Sequence, residues 1–217
     1  MIQLQLLQKI GVLAISVLLG YAYYFFMSEE KKQFKWKNGN LLVSQLMNFI
    51  ICLWISKVLI HVRTFFHDPL AVLAYPSDAK AFYMANGLML MYILWLSGRK
   101  KWQTMSFMPV FVPAFLAASF IFECIQILTK QQYRWEYASI LLLLILAHLF
   151  LHERIKANVL LSVLMTCWSI GQLLLLLINP YATIFGFVIS GWYFGLTAAV
   201  SGLLTIYYAW TALDKHD

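Results

Sequence analysis

Long apolar runs follow one another along nearly the whole chain, each bounded by a short cluster of charged or turn-forming residues. Within a run the apolar positions are continuous, where a half-buried strand would alternate them with polar ones. A helix needs about 20 apolar residues to cross the hydrocarbon of a bilayer. On that measure the runs predict seven spanning helices at residues 6–27, 41–62, 82–98, 104–128, 137–152, 158–178 and 184–210. The third and fifth are short, but the stretches around them are too apolar for water. In lipid every backbone group must be paired internally, so continuous runs of this kind mean helices. The expected fold is one all-α transmembrane bundle over residues 1–217, with no strands and no soluble domain.

Composition agrees with that reading. The chain is 62% hydrophobic and 12% charged, where a soluble domain carries about a quarter charged residues. The few charges set an orientation, because short cytoplasmic loops collect lysine and arginine. Lys31, Lys32, Lys35 and Lys37 lie between the first two spans, Arg99, Lys100 and Lys101 after the third, and Arg154 and Lys156 after the fifth. These loops share one side, which puts the N-terminus outside and the C-terminus, Asp214 to Asp217, in the cytoplasm. The opposite loops hold fewer: Arg63 and Lys80, then Lys130 and Arg134. The net charge of +7 therefore serves topology and contact with anionic lipid, and gives no support for a nucleic-acid partner. Lys9 is the only early charge and no small-residue cleavage site follows, so the first span is not expected to be a cleaved signal. Cys52, Cys124 and Cys167 lie inside predicted spans without a CxxC spacing. We expect no metal and no cofactor.

Polar residues inside the spans come next, since each is costly in hydrocarbon unless it is paired or faces water. Lys57 lies in the outer third of the second span, with His61 and Arg63 following, then His67, Asp68 and Lys80 in the next loop. Lysine and arginine supply charge and donors to phosphate, so Lys57, His61 and Arg63 are candidates for a lipid-headgroup site. The alternative is that they snorkel and anchor the span end. Glu123 and Gln126 fall in the fourth span, His148 in the fifth and Gln172 in the sixth. Glu123 needs a partner: His148 in a proton pair, or Lys57 across helices. The other polar groups can serve as interhelical hydrogen bonds worth about 1 kcal/mol each. Gly87, Gly171, Gly186, Gly191 and Gly195 are placed where they would let helices approach closely, and the last span offers a contact surface. Trp192, Tyr193, Tyr207, Tyr208 and Trp210 read as interfacial or packing aromatics.

The order of these pieces resembles bacterial prolipoprotein diacylglyceryl transferase. The resemblance runs from KIGVLAISVLLGYAYYFF through LWISKVLIHVRTFFHDPLAVLAYPSDAKAFYMANGLMLMYILWLSGRKK and MPVFVPAFLAASFIFECIQ. It continues through WEYASILLLLILAHLFLHERIK to CWSIGQLLLLLINPYATIFGFVISGWYFGL. It rests on order, spacing and topology, and it implies a seven-span protein of a bacterial plasma membrane. The family's essential histidine is matched by Tyr83 in the stretch Phe82-Tyr83-Met84-Ala85. The arginine of its glycine-arginine-isoleucine-glycine-asparagine signature is matched by Glu123. A further arginine is matched by Gln172, and a following glutamate by Leu176. Lys57 stands at a family arginine, and Trp135-Glu136 at a tyrosine-glutamate pair. Where the family has a periplasmic head between the fourth and fifth spans, only TKQQYRWEY remains.

The family's reaction moves a diacylglyceryl group from phosphatidylglycerol to a cysteine thiol, and glycerol phosphate leaves. Such a step needs positive charge on the departing phosphate and a base for the thiol. Glu123 in place of arginine repels a phosphodiester, the more so at low dielectric. A tyrosine with an ordinary pKa of about 10 is a poor base at neutral pH. The resemblance therefore implies the scaffold without the reaction: a protein that binds a lipid, phosphatidylglycerol among the candidates, or a lipidated peptide, and acts as a membrane partner or scaffold. One alternative is a lipid-modifying enzyme of altered chemistry, with Glu123 and Tyr83 as candidate catalytic groups and Lys57 holding phosphate. A second is a small transporter or channel subunit, with Glu123 and His148 on a polar pathway.

Overall fold

A computed structural model describes residues 2–28, 32–68, 72, 78–98, 104–129 and 134–213. Lys31, Arg99, Lys100, Lys101, Lys130 and residues 214–217, part of the charge asymmetry above, lie outside the described residues. Eight helices are seen among the described residues: α1 (Ile2–Met27), α2 (Lys32–Ile60), α3 (Val62–His67), α4 (Ala79–Gly98), α5 (Thr104–Leu128), α6 (Trp135–Leu151), α7 (Ala157–Ile178) and α8 (Gly191–Leu213). Five of them (α1, α2, α4, α5 and α7) are long and apolar enough to cross a membrane, and α6 is a shorter apolar helix. That fits a multi-pass membrane protein. In α8 the aromatic, threonine and glycine positions dilute the aliphatic ones, and it is not among the five.

The helices pack in a chain of neighbours around α5. Helix α1 runs along α5, α2 lies against α4, α5 against α6, α6 against α7, and α7 against α8. The main core is drawn from α5, α6, α7, the segment before α8 and the first turn of α8, with Leu116, Leu141, Leu164 and Phe194 each at most 2% exposed. Helix α1 approaches α5 closely at Gly20. A Cβ there would meet the Ala114 carbonyl oxygen at 2.5 Å and the Ala118 Cβ at 2.7 Å, so only glycine lets the two backbones come together. Of the glycines expected to let helices approach, Gly171 and Gly191 do lie close to a neighbour, a Cβ there falling 3.1 Å from Ile140 Cγ2 and 3.2 Å from Leu176 Cδ1, whereas one on Gly87 or Gly195 would meet nothing within 4 Å.

Two expectations are corrected. The last span does not begin at residue 184. Residues Ala182–Ile184 (β1) and Phe187–Ile189 (β2) form a two-stranded antiparallel hairpin in the register Ala182 to Ile189, Thr183 to Val188 and Ile184 to Phe187. The β-branched Thr183, Ile184, Val188 and Ile189 favour strand, and Asn179-Pro180 has already ended α7. Phe185 and Gly186 link the strands with φ of 49° and 85°, the two positive values a two-residue I′ turn requires. Glycine suits that conformation, whereas phenylalanine pays about 1–2 kcal/mol. The Phe185 ring offsets this by packing edge-on to Phe115 and Phe122, at 5.9 and 5.6 Å.

The helix that carries the second expected span begins well before residue 41. Helix α2 starts at Lys32 and takes in most of what the charge pattern marked as loop. Three contacts hold that first part. The Lys35 ammonium donates to the Phe25 carbonyl at 3.1 Å, near the end of α1, where carbonyls lack helical partners. Trp36 packs edge-on to Phe25 at 5.3 Å. Gly39 sits against Tyr21, whose hydroxyl oxygen would be 2.5 Å from an added Cβ.

Candidate functional site

The polar residues of α5 are spaced for one face. Ser119, Glu123 and Gln126 recur at four and three residues, one turn of helix apart, and are 3%, 1% and 8% exposed. A carboxylate that deep needs an opposite charge. Arg134, immediately before α6, supplies it: its Nη1 lies 3.9 Å from Glu123 Oε1. The same nitrogen donates to the Thr183 carbonyl at 3.4 Å and to the Thr183 hydroxyl. The guanidinium carbon also stands 5.0 Å from the centre of the Tyr137 ring, within the range of a cation–π contact. One side chain thus joins the end of α5, the start of α6 and the buried strand of the hairpin.

Tyr137 extends the cluster into α7. Its hydroxyl accepts from the Trp168 indole at 3.2 Å. Gln172, one turn beyond Trp168, is fully buried and comes up to the Tyr137 hydroxyl without meeting hydrogen-bond geometry. Four buried side-chain atoms of this region have no hydrogen-bond partner among the described residues: Ser119 Oγ, Glu123 Oε2, and both Oε1 and Nε2 of Gln172. Satisfied and unsatisfied groups therefore share one patch of the interior, at a cost of about 1–3 kcal/mol for each unpaired group.

The structure places the other expected site residues apart from this patch. Arg134 pairs with Glu123 in place of Lys57 or His148. His148 Nδ1 is 3.4 Å from the Tyr23 hydroxyl, linking α6 to α1. Lys57 is buried near the end of α2, with Asp78 close enough to act on its charge, while His61 and Arg63 are exposed where α2 gives way to α3. Tyr83, on α4, accepts a hydrogen bond from the Ser190 backbone N–H at 2.7 Å, and its ring lies 4.8 Å from that of Trp192. Two small cavities lie elsewhere. One of about 30 Å³ sits between α5, α7 and α8 at Met108, Ser162 and Tyr208, and one of about 80 Å³ borders His148 and His152.

Sequence reasoning missed Arg134 and Thr183. Arg134 was counted as a loop charge. The signal that could have found it is that Glu123 needs a cation, and Arg134 opens the next apolar run only eleven positions later. No family model matches this chain, and no curated protein or solved structure matches it.

Proposed function

We propose that this is a seven-span membrane protein, N-terminus outside and C-terminus in the cytoplasm, that shares a layout with prolipoprotein diacylglyceryl transferase but not its reaction. It binds a lipid or a lipidated peptide and acts as a membrane partner or scaffold. The observation that carries this reading is what occupies the positions where the resemblance calls for catalytic groups. Glu123 is paired with Arg134, Gln172 is sealed in the core, and the Tyr83 hydroxyl holds the backbone of Ser190. Side chains committed to packing and to neighbouring backbone are poorly placed to handle a phosphate or a thiol. The exposed His61 and Arg63, just beyond Lys57 at the end of α2, are the cationic groups we assign to a lipid headgroup.

Native mass spectrometry of the full-length protein, purified in mild detergent with its own lipids, tests the binding half. A retained phospholipid or lipidated peptide, lost in Lys57→Ala, is the expected result. An assay of diacylglyceryl transfer from phosphatidylglycerol tests the other half. Turnover by pure protein that disappears in Tyr83→Phe would overturn the non-catalytic reading.

One observation favours a second reading, a lipid-modifying enzyme of altered chemistry. Glu123 Oε2 has no hydrogen-bond partner among the described residues, which leaves one carboxylate oxygen able to take a proton. Transfer or hydrolysis of a phospholipid that is lost in Glu123→Gln, with the fold intact, would select this reading over the first.

A further inference from the structure

We propose that the end of the bundle formed by the first turns of α2 and the turn between α6 and α7 is a docking face for anionic phospholipid. Lys32 and Lys37 meet the headgroup phosphate, and Phe34 and Trp36 sit among the lipids at the same depth. This face lies at the other end of α2 from His61 and Arg63, so it stands independently of the headgroup site proposed above.

The structure brings the charges of two separate loops to this end. The Lys35 ammonium reaches the Phe25 carbonyl, which puts the start of α2 beside the end of α1. The Tyr23 hydroxyl, on the same part of α1, stands 3.4 Å from His148 Nδ1, which brings the end of α6 there too. Lys32, Lys35, Lys37, Arg154 and Lys156 therefore share one end, with Glu153 the one acidic residue beside them among the described side chains. At the other end Lys57, Arg63, Lys80 and Arg134 are balanced by Asp68, Asp78, Glu123 and Glu136. Five cations against one acid, facing four against four, leave the excess positive charge of the described fold on one face. A negatively charged leaflet is its electrostatic complement.

Helix length sets the depth of that face. Helix α2 has 29 residues, about 43 Å at 1.5 Å per residue, whereas the hydrocarbon core is about 30 Å thick. About nine residues therefore extend past the core, and composition says which: Lys32 to Asn40 are lysine, asparagine or glutamine at six of nine positions. Immediately below them the exposed Val43 and Met47 continue the same helix as lipid-facing surface. The lysines thus stand where the headgroups of that lipid must lie, which makes phospholipid the occupant.

The projecting turns are also held in place. Lys35 and Trp36 face α1 through the Phe25 carbonyl and ring, and Gly39 lies against Tyr21. Phe34 and Lys37, three residues apart, share the opposite face. Lys32 and Lys37 are exposed, and Phe34 and Trp36 are each 54% exposed. Aromatic rings of membrane proteins collect in the headgroup layer, where one part of the ring is apolar and another wet. A lysine at that depth offers phosphate a charge and three donors.

The full-length protein in phosphatidylcholine vesicles tests the face, with a minor share of either phosphatidylglycerol or phosphatidylcholine brominated near the top of its chains. Bromine quenches nearby tryptophan, and the difference between the unaltered protein and Trp36→Phe isolates one tryptophan among eight. Trp36 is expected to show an apparent affinity for phosphatidylglycerol about fivefold or more above that for phosphatidylcholine, the worth of one lysine beside an anionic surface. Lys32→Gln with Lys37→Gln should remove most of that preference. Raising the salt from about 0.1 M to about 1 M should do the same, because the screening length falls from about 10 Å to about 3 Å. Lys80→Gln, at the other end of the bundle, should leave it unchanged. Equal quenching by the two lipids in the unaltered protein overturns the proposal and leaves the lysines to an acidic soluble partner. A preference that survives loss of both lysines, or that disappears with Lys80, overturns it as well. Should the double variant fail to fold, the salt series on the unaltered protein decides, and an undiminished preference at the higher salt is the contrary result.

Discussion

The most apolar 18-residue windows of α2 and α5 have nearly the same mean hydropathy, 1.8 and 2.0, yet 11% of the window in α2 is buried inside the protein against 67% of that in α5. Helix α5 is the centre of the bundle, touched by α1, α2, α6 and α7. Helix α2 is built inside out. Its buried residues are Asn38, Gly39, Leu42, Gln45, Ser56 and Lys57, whereas Met47, Ile50, Ile51, Trp54 and Leu59 are exposed. A water-soluble helix would bury the second set and expose the first. In lipid the order reverses, since apolar side chains gain nothing by leaving the tails while polar ones must find partners. Hydropathy identifies a helix as a span, and the placement of its few polar residues says which side faces protein.

Arg134→Ala strips Glu123 of its charge partner in a site 1% exposed. Removing one member of a buried pair costs about 3–5 kcal/mol, so this variant should show the largest fall in thermal midpoint of any single change considered, measured in detergent by circular dichroism. Gly20→Val attacks the α1–α5 contact, where the added carbon would overlap the Ala114 carbonyl. Overpacking of this kind costs about 1–3 kcal/mol, and chemical denaturation should report it as a lowered midpoint with the fold retained.

Smaller effects sharpen the contrast. Phe185→Ala removes the ring that packs on Phe115 and Phe122 but leaves the positive φ in place. A loss of about 1–2 kcal/mol is expected, with proteolysis at the 182–189 hairpin rising alongside. On α2, Trp54→Leu and Ile51→Leu change only lipid-facing surface and should stay within about 0.5 kcal/mol. A large loss at either position would mean that this face is covered by protein.

Much of the helical plan was legible in the sequence, because length and continuous hydrophobicity are what a bilayer selects. Helix α5 begins and ends where the apolar run does, at residues 104 and 128. The hairpin was not legible as a break in the last run, because FVIS and ATIF are as apolar as any helix. Only their β-branched content and the Phe185-Gly186 turn distinguish them. The start of α2 was hidden by its lysines, which mark a loop by charge although Lys35 and Gly39 hold a helix against α1. In the candidate site, the need of Glu123 for a partner was legible and the partner was not. Arg134 meets Glu123 and Thr183 only through tertiary packing, across 49 positions of sequence in the second case. Tyr83 read as a candidate catalytic group because a resemblance put it there, whereas the fold uses its hydroxyl to hold Ser190.

The buried charges on α5 and before α6 tie the bundle together. A double-mutant cycle on Glu123 and Arg134 tests it most directly, using unfolding free energies of Arg134→Ala, Glu123→Gln and the pair together. Glu123→Gln is expected to recover a large part of what Arg134→Ala loses, a coupling above about 1 kcal/mol, within the range for groups in contact. Losses that simply add would mean the two residues do not support one another, and would contradict it.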